Sequence, residues 1–175
     1  MLKTHDISGN VLYEEKQRFP KWFIILMTGM LLLIMVGMVL MALYIEEERD
    51  EAALGLAIAI PIELAIIYLF MTSEIDLTVT SNGVYYRWRP LHRKYRIIEK
   101  EIIESADIRR SPLFNYGFGW FPSLGTFYNT HNGPGLQFYL KNGKRIFFSS
   151  KDTVQLNRTI QDMISANRKT RMREF

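Results

Sequence analysis

The sequence predicts a membrane-spanning α-helical hairpin joined to a small, mostly-β domain that ends in a helix. Three observations carry that prediction. Two long apolar runs, Trp22–Tyr44 and Ala52–Met71, stand seven residues apart. Short alternating segments follow them, punctuated by Asn82-Gly83 and Asn142-Gly143. Beyond Ser150, apolar residues recur at the spacing of one helix face.

The chain has 175 residues, enough for one domain or for a domain with a membrane anchor. Its 48% apolar and 23% charged residues resemble a soluble average, but the apolar ones are concentrated in the two runs. There are no cysteines, which excludes disulfides, thiolate metal sites and thiol catalysis. Residues 1–21 are mixed and include Asp6, Glu14 and Glu15, so they do not read as a signal peptide. They are expected to form a separate cytoplasmic segment.

A hydrocarbon core roughly 30 Å thick needs about 20 helical residues. The first run (residues 22–44) has 23 residues and no charge, a helix about 34 Å long. Trp22 and Tyr44 sit at its ends, where amphipathic rings favour the headgroup level. A core helix of a soluble protein would need more surrounding protein than this chain supplies. The second run (residues 52–71) contains Pro61 and Glu63. A link as short as residues 45–51 predicts that the chain returns across the bilayer.

Basic residues near the helix ends set orientation. Lys3, Lys16, Arg18 and Lys21 precede the first run, and Arg87, Arg89, Arg93, Lys94 and Arg96 follow the second. The intervening loop has Arg49 against five acids. Both termini are therefore expected in the cytoplasm, with the acidic loop outside, in a multi-pass protein of the inner cell membrane.

Glu63 lies near the middle of the second span, where an ionisable group costs roughly 2.5–3.5 kcal/mol to insert. Three roles are open to it: a hydrogen bond to Thr28 or to a carbonyl freed by Pro61, pairing with a second copy, or lining a proton or ion path in an oligomer. Gly55 and Ala59, like Gly29 and Gly37, share a face and suit close helix contact, within the hairpin or between copies.

From Thr72 onward there are seventeen Lys and Arg against nine Asp and Glu, a net of +8. A domain over residues 72–168 is predicted, followed by a basic tail at 169–175. Strands are expected at Ile75–Thr80, Val84–Trp88, Tyr95–Ile98, Ile102–Arg110, Gly125–Asn129, Leu136–Leu140 and Lys144–Phe148. The two Asn-Gly pairs are hairpin turn signals. Ser150 is the expected cap of a helix burying Leu156, Ile160, Met163 and Ile164. Seven antiparallel strands with a final helix suggest a partly open barrel plugged at one end.

The stretch LTVTSNGVYYRWRPLHRKYRIIEKEII, then NYGFGW, then Gly125 through NGPGLQFYLKNGKRIFF resembles the pleckstrin-homology (PH) superfold. With a membrane hairpin ahead of it, the chain is similar to small prokaryotic two-transmembrane proteins carrying bacterial PH-like domains. The resemblance implies a membrane-associated interaction or oligomerisation module. It does not by itself imply phosphoinositide binding.

No catalytic motif stands out. His5, His92 and His131 are scattered, with no metal-ligand spacing; His92 reads as a solvated residue of the basic turn, and His131, ahead of Asn132-Gly133, as part of a turn. Gly117–Gly119 lacks the strand-to-helix setting of a phosphate cradle and reads as loop. The candidate binding surface is the basic turn formed by Arg87, Arg89, Arg93, Lys94 and Arg96, with Arg109 and Arg110 able to join it. Strand alternation places Arg87 and Arg89 on one side and Trp88 on the other. Such a cluster suits anionic headgroups, at about 1 kcal/mol per basic residue, or it merely enforces topology and solubility. The sequence thus points to a non-enzymatic protein without cofactor or metal. Its expected partners are the lipid bilayer, anionic lipids, and further copies or another membrane protein; nucleic acid is not expected.

Overall fold

The computed structural model describes residues 4–44, 49–111 and 116–173. Glu46–Glu48 of the expected acidic loop and Pro112–Asn115 of the aromatic stretch lie outside the described residues. The chain divides into two compact units: Phe19–Ser73, and Met1–Arg18 together with Glu74–Phe175.

The first unit is a pair of helices, α1 (Lys21–Tyr44) and α2 (Arg49–Thr72). Both are long and apolar enough to cross a membrane. Large side chains such as Ile25 and Leu33 are 70% and 75% exposed, so α1 is not the core of a globular fold. Pro61 sits inside α2, which continues through it. The less exposed residues recur three to four apart: Met27, Leu31, Met35 and Met38 on α1, and Gly55, Ala59, Glu63 and Ile67 on α2. This is the seam of an antiparallel pair. A Cβ built on Gly55 would lie 2.7 Å from Cε of Met38, so Gly55 lets the helices approach. Gly29 and Gly37 meet nothing within 4 Å and lie off the seam.

The second unit is two five-stranded sheets and a helix. The first sheet has the order β1-β5-β4-β3-β2, with β1 Thr4–His5, β2 Val11–Arg18, β3 Glu74–Thr80, β4 Gly83–Arg89 and β5 Tyr95–Glu99. All its pairings are antiparallel. The second sheet has the order β6-β9-β10-β8-β7, with β6 Ile103–Arg110, β7 Gly117–Phe121, β8 Gly125–Asn129, β9 Pro134–Leu140 and β10 Arg145–Ser149. Here β8 and β10 run parallel. Helix α3 spans Thr153–Arg173.

Several expectations need correction. The structure has ten strands among the described residues, not seven, arranged as two five-stranded sheets where one partly open barrel was expected. Residues 4–18 are not a separate segment: β2 pairs with β3 along its length, Arg18 opposite Glu74. Its inward residues are Tyr13, Glu15 and Gln17, so it shows no apolar alternation. Gln17 is 1% exposed, and its amide donates to the Ser149 carbonyl at 2.6 Å. Its carbonyl accepts from Thr130 at 2.8 Å and from Ser149 Oγ at 2.9 Å. A buried polar side chain is acceptable when its bonds are met.

Gly117–Phe121, read as loop, is edge strand β7 paired to β8. Ser150 does not cap α3: Asp152 does, its Oδ1 accepting from the backbone N–H of Gln155 at 2.9 Å. Ser150 Oγ donates instead to Glu15 at 2.7 Å. The helix also runs beyond residue 168, to Arg173.

The core lies between the sheets. Ile75, Leu77 and Val79 of β3 and Tyr86 and Trp88 of β4 are buried. Tyr86 packs against Tyr128 and Phe148, with ring centroids 5.0 and 4.9 Å away. Leu156, Ile160, Met163 and Ile164 of α3 are buried, as their spacing predicts. The Asn82-Gly83 hairpin forms with Thr80 opposite Gly83, making Ser81 and Asn82 the turn residues. A side chain at Gly83 would collide with the carbonyl of Ile98.

Candidate binding surface

The five basic residues singled out in the sequence divide into three environments. Arg87 and Arg89 lie on the outer face of the first sheet, opposite the inward Trp88, as alternation predicts. Cross-strand register places Asp76 opposite Arg87 and Glu74 opposite Arg89. Arg87 donates to Asp76 Oδ2 from Nε at 3.0 Å and from the terminal nitrogen at 2.6 Å. It also lies 4.3 Å from the ring centroid of Tyr95, a cation–π contact. Arg89 pairs with Glu74 and reaches Asp76 at 3.4 Å. Arg18 of β2 holds the other oxygen of Glu74 at 2.5 Å.

Three arginines thus enclose two carboxylates, Asp76 at 1% and Glu74 at 7% side-chain exposure. Burial by itself would raise the Asp76 carboxyl, but Arg87 and Arg89 outweigh it and hold the group below the ordinary carboxylate range. Sequence reasoning missed both acids. Counting outward from the Asn82-Gly83 pair as the turn would set Asp76 opposite Arg89; only the observed turn at Ser81 and Asn82, one residue earlier, aligns Asp76 with Arg87 and Glu74 with Arg89.

Arg93 and Lys94 stand apart from this network. They are exposed in the turn between β4 and β5, beside Leu91, which is 56% exposed. Arg96 differs again. It is opposite Tyr86 across the β4–β5 pair, so it shares that residue's inward face. Arg109 and Arg110 end β6 on the other sheet and are exposed.

His92 is not a solvated turn residue. It is half-buried, its ring 6.3 Å from that of Phe118 and its Nδ1 without a hydrogen-bond partner. His131 is also half-buried, with Nε2 3.2 Å from the Ser150 carbonyl. Burial lowers both imidazoles, with Arg96 adding to the effect on His92. The side chain of His5 lies outside the described residues.

No family model, curated protein or solved structure matches the chain.

In the helical unit, Glu63 is 7% exposed while Ile62 and Leu64 beside it are 53% and 61% exposed. Its side chain is therefore turned to the seam of the hairpin.

Proposed function

We propose that this protein is a non-catalytic, membrane-anchored binding module whose β4–β5 turn docks on an anionic membrane surface. The observation that carries this reading is the exposed Leu91 flanked by exposed Arg93 and Lys94. An apolar tip among cations suits the boundary between headgroups and acyl chains. Each basic residue near an anionic surface contributes about 1 kcal/mol. Arg87 and Arg89 act differently: paired with Asp76 and Glu74, they stiffen the strands that carry the turn.

In this reading α1 and α2 span the inner cell membrane, with both termini cytoplasmic. The excess of basic residues beside the outer ends of the hairpin supports that orientation. The β-unit is read as PH-like. Two facing sheets with a helix after the last strand support the likeness; ten strands and the parallel β8–β10 pair depart from it. The absence of catalysis is read from Glu74 and Asp76, whose carboxylates are committed to arginines. A transport path lined by Glu63 is the rival reading. Glu63's burial in its own hairpin favours a structural role inside the seam over one between copies.

The chain has no cysteine, so a single one can report on the turn. Leu91→Cys, carrying a polarity-sensitive fluorophore, is placed in nanodiscs of phosphatidylcholine with or without phosphatidylserine. A blue shift is expected with phosphatidylserine only, abolished by Arg93→Glu/Lys94→Glu and weakened by salt. Identical spectra in the two discs would overturn the docking.

A further inference from the structure

The β-unit contains a cleft of about 800 Å3, within the size range of small-molecule sites. Its lining combines two chemistries. Tyr86 and Tyr128, both 1% exposed, form the inner part, and Phe118 and Trp120 of edge strand β7 line it further out. Trp120 is 70% exposed and Phe118 48%, although both belong to a strand whose partner β8 is largely buried. Phe118 packs on Tyr128 and Trp88, with ring centroids 5.1 and 5.9 Å away, whereas the 70% exposure of Trp120 at the opening is not accounted for by core packing.

The second chemistry is positive charge. Arg96, Lys144 and Arg145 line the cleft, and no Asp or Glu is among its described lining residues. Arg145 is partly engaged by the Tyr139 ring, 5.9 Å from its guanidinium. Arg96 is set against Tyr86 by strand register, which points it inward. Arg18, Arg87 and Arg89 each have a carboxylate; Arg96 forms no ion pair among the described residues. Burial, and then Tyr128, push the Tyr86 phenol well above its usual range, so it stays neutral and does not discharge Arg96. A half-buried arginine lining an aromatic-walled cleft, with no counter-ion among the described residues, has the form of half an ion pair.

We propose that this cleft binds an amphipathic phosphate or carboxylate, its acidic head on Arg96 beside the Tyr86 hydroxyl and its apolar body against Phe118 and Trp120. A lipid headgroup with the start of its chain and a soluble aryl or alkyl phosphate share that chemistry. The site is distinct from the docking turn, since Leu91, Arg93 and Lys94 are not among its lining residues.

The test uses the full chain in phosphatidylcholine nanodiscs and 1-naphthyl phosphate as probe, measured by equilibrium dialysis with empty discs subtracted. Saturable binding is expected, weakened about tenfold or more by Arg96→Met, as loss of a charge-assisted bond predicts. Trp120→Ala is expected to weaken it too, and Arg93→Glu/Lys94→Glu to leave it unchanged. Near-UV circular dichroism verifies folding, and Arg96→Lys replaces Arg96→Met if the latter fails to fold. Discs containing phosphatidic acid identify the source: competition with the probe marks a lipid headgroup, and none marks a soluble ligand. No saturable binding, equal affinity in a folded Arg96 variant, or loss of binding on Arg93→Glu/Lys94→Glu would each overturn the proposal.

Discussion

Arg18 and Glu74 face each other across an antiparallel strand pair and share an ion pair of 2.5 Å, although 55 residues of apolar hairpin separate them in the chain. The two helices are therefore an insertion into what would otherwise be a β-hairpin turn. The β-unit is discontinuous in sequence and complete only when residues from both sides of the insertion meet.

Replacing Phe19–Ser73 with a four-residue glycine-containing turn should yield a folded β-unit that needs no detergent. A chain beginning at Ser73 should not fold, because it lacks Tyr13 and Gln17, both buried against other strands. Gel filtration and thermal melts distinguish the two. Equal stability of both chains would show that β2 is dispensable.

Arg87→Ala should destabilise the β-unit by about 3 kcal/mol, since it leaves the buried Asp76 carboxylate with only the longer contacts to Arg89 and Tyr95. Adding Asp76→Asn should recover much of that loss, and urea unfolding of the four chains in the cycle gives the coupling. Additive effects would mean that the pair is not coupled. Arg87 and Arg89 are consequently poor positions for probing membrane docking by charge reversal, because the fold itself would suffer.

Gln17→Leu keeps approximate volume but deprives Thr130 and Ser149 of their acceptor. The expected cost is about 2 kcal/mol, the range for buried groups left without partners. A rise in stability would show that the polar contact is merely tolerated.

The histidines predict a pH response with a definite sign. Burial favours neutral His131 and His92 in the folded chain, so the unfolded chain takes up protons first. Their stabilisation is complete above an ordinary imidazole pKa of about 6.5 and is lost as pH falls below it. Melting temperature should therefore drop between pH 7.5 and 5, and less so in His131→Gln. Asp76, held below the usual carboxylate range, contributes stability that is lost only at much lower pH.

In the hairpin, Gly55→Leu should separate the helices and lower thermal stability in detergent, because its side chain enters the seam at Met38. Gly37→Leu should be tolerated, since no described residue lies within 4 Å of a side chain built there. The reverse order would relocate the seam.

Much of this architecture was legible in the residues. The apolar runs exceed what so short a chain could bury, and β3 and β4 show clean alternation around a strong turn. Strand β2 was hidden because its inward face carries Tyr13, Glu15 and Gln17, which read as solvent-facing until Ser149, Ser150 and Thr130 are brought beside them. Strand β7 was hidden because its glycines and exposed rings lack an inward pattern. At the site, alternation separated Arg87 and Arg89 from Trp88, but Arg96 could be placed only once the register across the longer turn at Pro90 was fixed.

The nested connectivity also imposes an order of events during synthesis. The ribosome delivers β2 before either helix, yet its neighbour β3 is made only after both. If both helices cross the bilayer as proposed, the leading strand must wait, unpaired, on the side where the later strands emerge. If both helices are inserted as proposed, completion of the sheet reports that the chain crossed an even number of times, so a single misdirected span would leave Arg18 and Glu74 on opposite sides of the barrier.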